Sequence, residues 1–293
     1  MMKRSIFGFG ASDMNWEQAI DYVAALGAKG IEPYPMAELM TPSLAEARRI
    51  SDYAREKGLE LPCFSITARM TGEEAKSEVE KLCRYADVCA QMHIPYLHHT
   101  LIPALAPAGV PHDIDAAIDE AAGNARIVFD YAKSVGVSCI YEDQGFCVNG
   151  IRRFEYFLHA LNRSAGVVAD LGNILFAGEK AQDFVGRFAP LVRHVHIKDY
   201  LFKDGRLDYP GRGWYRTLGG DYLRGTVIGH GVIPFRRVMA QLIDAGYDGW
   251  YSVEYDGLED RKTAHILGLE NMSHYYEAAL READCEQPHL AVE

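Results

Sequence analysis

The chain has 293 residues, 48% of them hydrophobic and 24% charged, which is enough apolar material for a large core and no sign of compositional disorder. Its 30 basic and 41 acidic residues give a formal charge of -11, which repels phosphate backbones and excludes nucleic acid as a default partner. No apolar run reaches the ~18 residues of a membrane span, and the first fifteen residues are too polar for a secretory signal, so a cytoplasmic chain is expected.

In chain order, short apolar segments alternate with longer helix-periodic ones. Strands are expected at 5–10, 30–34, 61–66, 95–100, 138–143, 166–171, 192–199 and 250–255. Helices are expected at 16–27, 44–58, 73–92, 115–135, 151–163, 181–189, 235–246 and 262–282, where apolar residues recur at three- and four-residue steps, as at Ala19, Tyr22, Val23 and Leu26. Asn15 with Gln18 reads as a capping box, and Gly27, Gly58, Gly136 and Gly246 stand where helix-terminating glycines belong. Eight strand–helix units without a domain-sized break predict an α/β fold, a (β/α)8 TIM barrel, over 1–283, followed by a loose tail over 284–293. No GxGxxG follows the first strand, which argues against a dinucleotide-binding sheet. Cys63, Cys83, Cys89, Cys139, Cys147 and Cys285 form no CxxC pair and read as reduced thiols. Two long connections, 101–114 and 200–226, follow strands and so lie on the face where barrel sites form.

The acids and histidines fall at the strand ends. Glu142 ends the fifth strand, Asp170 the sixth and Glu254 the eighth, and His196 sits in the seventh. Each interrupts an apolar run near its carboxyl end, and in a barrel those ends converge on one mouth. Three carboxylates repel one another unless a cation lies between them. The set therefore predicts one divalent metal ion, Mn2+ first, with Mg2+, Co2+ or Zn2+ as alternatives.

The segments GIEPYP, YEDQGF, VVADLGN, HVHIKD, IGHGVIPF and GYDGWYSVEYDG together resemble the xylose isomerase-like TIM-barrel superfamily of sugar isomerases, epimerases and inosose dehydratases. The resemblance implies that Glu142, Asp170, His196 and Glu254 bind the metal and that Glu142 and Glu254 act as acid and base. Departures from the pattern are Asp143 and Gln144 where many members carry Asn and His, Asn173 in place of a substrate-binding His, Phe202 and Lys203 where some ketose 3-epimerases carry an Arg, and His230 where many relatives have an acid.

Glu32, His99, Asn173, Lys198 and His230 are the candidate substrate-binding residues. Neighbours in a strand point to opposite sides, so only one of His98 and His99 faces the mouth. His99 is taken as the ligand and core packing is expected of the other. Lys198 shares the alternation of His196 and is placed to hold a carbonyl or enolate oxygen. The expected reaction is isomerisation or epimerisation of a sugar or polyol ketone by α-proton abstraction through a metal-stabilised enediolate. The alternative is a lyase of the same fold that expels a β-leaving group, as inosose or dehydroshikimate dehydratases and 3-keto-C-glycoside-cleaving enzymes do. The partner is then a small sugar or cyclic polyol, with no nucleic acid and no membrane, and a homo-oligomer paired through the 200–226 loop stays open.

Overall fold

The computed structural model describes residues 2–11, 13–104 and 109–286. Eight parallel strands form the barrel wall. In chain order they are β1 (Lys3–Phe7), β2 (Gly30–Glu32), β3 (Phe64–Ile66), β4 (Tyr96–His99), β5 (Ser138–Tyr141), β6 (Gly166–Asp170), β7 (Val192–Ile197) and, after an excursion, β11 (Trp250–Val253). Their hydrogen-bonded order is β2-β1-β11-β7-β6-β5-β4-β3. The circle closes between β2 and the approach to β3, where Ile31 N donates to Glu60 O at 3.0 Å and Ser65 N to Pro33 O at 2.9 Å. The (β/α)8 architecture expected from the sequence is thus the architecture of the chain.

Helices coat the wall: α1 (Trp16–Ala25), α2 (Leu44–Glu56), α3 (Ala75–Met92), α4 (Ile114–Ser134), the short α5 (Gly145–Val148), α6 (Ile151–Leu161), α7 (Ala181–Phe188), α8 (Phe235–Asp244) and α9 (Arg261–Glu286). Asn15 and Gln18 make the reciprocal capping box at α1, which satisfies amide groups that the first turn leaves unpaired. The four helix-ending glycines all adopt positive φ, between 73° and 83°, a region closed to most side chains. The main core lies between strands and helices, with Trp16, Phe64, Phe154, Phe157, Phe184 and Phe235 fully buried. Inside the barrel, Cys63, Ile140 and Val168 pack with Tyr96 as an apolar plug.

Several boundaries differ from the sequence reading. β1 starts earlier and stops at Phe7, because Gly8 approaches the Glu32 carbonyl so closely that a Cβ would stand 2.7 Å from it. Connection 200–226 is not a bare loop: β8 (Asp199–Lys203), β9 (Tyr215–Arg216) and β10 (Tyr222–Thr226) pair antiparallel in the order β8-β10-β9. Helix α9 continues to Glu286, and the rest of the expected tail, 287–293, lies outside the described residues, as do 105–108 of connection 101–114. The five cysteines from Cys63 to Cys147 are free thiols. Among the described residues, no helix is long and apolar enough to cross a membrane.

Candidate metal centre and active site

Strand alternation decides which side chains enter the barrel. On β7 it sends His194 and His196 inward, with Lys198 following in the same phase. On β5 and β11 the same alternation carries on past the last paired residue to Glu142 and Glu254. Glu254 N donates to Ile197 O at 2.9 Å, which extends the β7–β11 ladder to the rim.

The side chains form two layers. The lower one centres on Glu32, which is 0% exposed. Its Oε2 accepts from His194 Nε2 at 2.7 Å, and its Oε1 accepts from His196 Nε2 at 2.9 Å and from the Ser65 hydroxyl. Burial opposes the Glu32 charge, but the two imidazoles outweigh it and hold the carboxyl well below its usual range. Ser65 gives its one proton to Glu32, so it accepts from His98 Nδ1 at 2.9 Å. That assignment leaves His98 Nε2 as a lone pair, which has no hydrogen-bond partner among the described residues. Burial outweighs the opposing Glu142 and keeps the His98 ring on the neutral side.

The upper layer surrounds His196 Nδ1. Glu142 Oε2 lies 3.1 Å from it, Glu254 Oε2 3.5 Å and Asp170 Oδ2 3.8 Å. Lys198 Nζ is buried, 2.8 Å from Asp170 Oδ2 and 2.9 Å from Glu254 Oε1. Asp170 Oδ1 accepts from the amides of Gly172 and Asn173 at 2.8 and 2.9 Å. Burial works to raise the Glu142 carboxyl, but the hydrogen bond and charge of His196 and the charge of Lys198 oppose it and hold the group below its usual range. Burial pushes Glu254 up to about 7 against the pull of Lys198. His196 goes well above its usual value because Glu32 and Glu142 outweigh the cost of burying its charge.

This donor set fits a divalent cation. Three carboxylates converge on one imidazole nitrogen, and ligand atoms of Glu142, Asp170 and His196 lie within 4.8 Å of one another. The Nε2–H of His196 is committed to Glu32, which fixes the ring and leaves Nδ1 as its ligand atom. Glu32, His194 and His196 form a second compatible group. The oxygens of Glu32 are already engaged, though, and Glu32 lines neither of the two cavities that open on the upper group, so the upper group is the better candidate.

Two cavities open on the upper layer. One of about 210 Å³ is lined by Phe7, Tyr34, Ser65, His98, Glu142, His196 and Glu254, among others. The other, about 560 Å³, shares Gln144 and Glu254 with it and reaches Lys198, Asn173 and the aromatic residues of the excursion.

The structure brings together Glu142, Asp170, His196, Glu254 and Lys198, with Asn173 beside them. Asn173 Nδ2 is buried without a partner among the described residues, while its carbonyl accepts from Asn149. Three candidates fall elsewhere. Glu32 lies beneath the cavity as a clamp rather than in it. His99 points outward against Tyr141, ring centroids 5.1 Å apart, with Nδ1 on the Thr100 carbonyl. The inward neighbour is His98, because its phase matches Ser65 across the β3–β4 register. His230 is exposed and lines neither cavity. Its loop instead gives the Gly229 and Gly231 amides to Asp199 at 2.9 and 2.7 Å, and a Cβ on Gly231 would meet that carboxylate at 2.2 Å. His194, His98 and Ser65 were missed as site residues. The alternating His-Val-His of β7 was the available signal for His194.

Comparisons with known proteins agree with this architecture. The family described as xylose isomerase-like TIM barrel matches residues 20–274. An inosose dehydratase from Bacillus thuringiensis (strain Al Hakam) is 22% identical over 270 residues, 83% of each chain. The solved L-ribulose 3-epimerase structure superposes with a TM-score of 0.77 at 16% identity, covering 99% of both chains. A xylose isomerase-like TIM-barrel protein from Mycobacterium smegmatis, in complex with magnesium, gives 0.72 at 17% identity over 95% of this chain and 97% of its own.

Proposed function

Because the chain belongs to the xylose isomerase-like TIM-barrel family, we propose that it is a divalent-metal-dependent isomerase or epimerase of a sugar or cyclic-polyol ketone. The observation that carries this reading is the convergence of Glu142, Asp170 and Glu254 on His196 Nδ1 beside a small cavity lined by Glu142, His196 and Glu254. Glu142, Asp170, His196 and Glu254 would hold the ion, Mn2+ first. When bound, it supplies Lewis-acid polarisation of the substrate carbonyl.

The chain's own residues supply the proton traffic. Glu142 and Glu254 come from β5 and β11, which are not neighbours in the barrel, and reach the cluster from separate strands. Two carboxylates placed in this way suit one proton acceptor and one proton donor. His98 Nε2, a lone pair 3.6 Å from Glu142 Oε1, is placed to accept a substrate hydroxyl. Lys198 is placed against a developing oxyanion. The Phe7 ring, stacked 5.3 Å from His196, covers one side of the cluster.

The second reading is β-elimination. It is favoured by the inosose dehydratase relative, which covers most of the chain, and by Lys198, whose buried ammonium reaches the second cavity with a proton for a departing group. The test is incubation of Mn2+-loaded protein in D2O with free ketoses, keto-inositols and 3-keto-glycosides, followed by NMR. Deuterium entering α to the carbonyl with an isomeric product is the expected result. Loss of water or of an aglycone gives the reaction to the lyase. No α-exchange in any of the three classes sinks both readings.

A further inference from the structure

The second cavity is larger than the reaction needs. The 210 Å³ cavity over the acidic cluster is below the roughly 300–1,000 Å³ usual for ligand pockets and matches a single small ring. The 560 Å³ cavity that joins it at Gln144 and Glu254 is distinguished by its aromatic rings. Its walls carry Phe146, Phe176, Tyr200, Trp214, Tyr215 and Tyr255. Phe176 meets Tyr200 edge-on at 5.3 Å and Tyr215 at 6.2 Å. Lys198, Arg216, Glu254 and Asp256 also line this cavity, and Asp256 is engaged by the Tyr215 hydroxyl, but six of its lining side chains are aromatic.

The wall is also built in place. Leu218 N donates to the Phe176 carbonyl at 3.0 Å, and the Tyr215 hydroxyl donates to Asp256 at 3.3 Å. Gly225 bridges Gly257, where a Cβ would collide with the Asp256 carbonyl. Thr226 Oγ1 donates to Glu259 at 2.8 Å. The excursion β8–β10 is thereby pinned to both β6 and β11 flanks, so a ligand meets a surface already ordered.

We propose that the substrate is a two-ring molecule. The ketone-bearing ring sits over the acidic cluster, and a second flat ring, aryl or glycosyl, is held on the wall of Phe176, Trp214 and Tyr215. Asn173 Nδ2, buried in the lining of the larger cavity and unpartnered among the described residues, is the donor for an oxygen of the second ring or its link. The proposal rests on the reading of the small cavity as the reacting end.

The experiment compares kcat/KM of the Mn2+-loaded full chain for 3-keto-glucose, its phenyl glycoside and its glucosyl disaccharide. At least one two-ring ketone is expected to be preferred about tenfold or more, and Phe176→Ala or Trp214→Ala to lower that preference about tenfold. Equal kcat/KM for one-ring and two-ring ketones, or a preference that both variants leave intact, overturns it. Which two-ring ketone wins identifies the second ring. Binding without turnover separates the two ideas: phenyl glucoside and glucose are titrated into the same protein by calorimetry. A phenyl preference of about tenfold that Trp214→Ala removes supports the subsite even where no ketone turns over. Turnover of 3-keto-glucose with no preference for either two-ring ketone, and no phenyl preference in binding, overturns the subsite and leaves the proposed reaction standing.

Discussion

The lower and upper layers of the barrel interior use similar residues to opposite ends. Around Glu32 every carboxylate oxygen has a donor, from Ser65, His194 or His196, and neither of the two cavities is lined by it. Around His196 Nδ1 three carboxylates share one imidazole and one ammonium, and two cavities open on them. A satisfied buried network rigidifies, whereas a crowded one stores binding potential for a charge that relieves it. On the proposed reading the lower layer positions and the upper layer binds; His196 belongs to both, with one nitrogen in each.

The largest expected effect comes from the upper layer. Glu142→Gln keeps the volume and removes the charge, and kcat is expected to fall by roughly a thousandfold or more, with the circular dichroism spectrum unchanged. A loss below tenfold with bound metal would assign the proton transfer elsewhere. A smaller effect is expected one layer down. Glu32→Gln leaves the upper ligands intact but loosens the His196 ring, so Mn2+ affinity by calorimetry is expected to drop by about ten- to a hundredfold. Unchanged affinity in a folded Glu32→Gln protein would break the division of labour between the layers.

The smallest effect tests His99, the outward partner of inward His98. Burial lowers His99 to about 4, below the ~6.5 of an unfolded chain. Between those values the unfolded state binds more protons, so stability rises with pH and is lost as pH falls from about 6.5 towards 4. From pH 7 to pH 6 the expected loss from this group is about 0.7 kcal/mol. His99→Phe should flatten the pH dependence of urea unfolding by that amount. An unaltered slope would mean that the ring is not held neutral.

Much of the architecture was legible because each local signal repeats. Eight apolar runs, eight periodic helices, the Asn15–Gln18 box and the glycines at helix ends all report backbone preferences that neighbours in sequence settle. The alternation that carries His196 into the barrel with Glu142 and Glu254 at the rim is likewise local. Connection 200–226 was not legible, because its strands are short and their pairing, Tyr222 with Lys203 and Leu223 with Tyr215, joins segments separated by turns with no apolar run.

The sequence by itself determined the barrel and the order in which acids and a histidine arrive at its carboxyl end, since a period of two and a period of 3.6 leave marks in the chain. Only the tertiary structure decided which of His98 and His99 turns inward, that both Glu32 oxygens are engaged by Ser65, His194 and His196, and that His230 is exposed while its flanking amides hold Asp199. Each of those outcomes depends on the phase of a strand relative to the barrel axis and on partners as distant as Glu32 and His194. Closure of the whole circle, rather than any stretch of sequence, sets both.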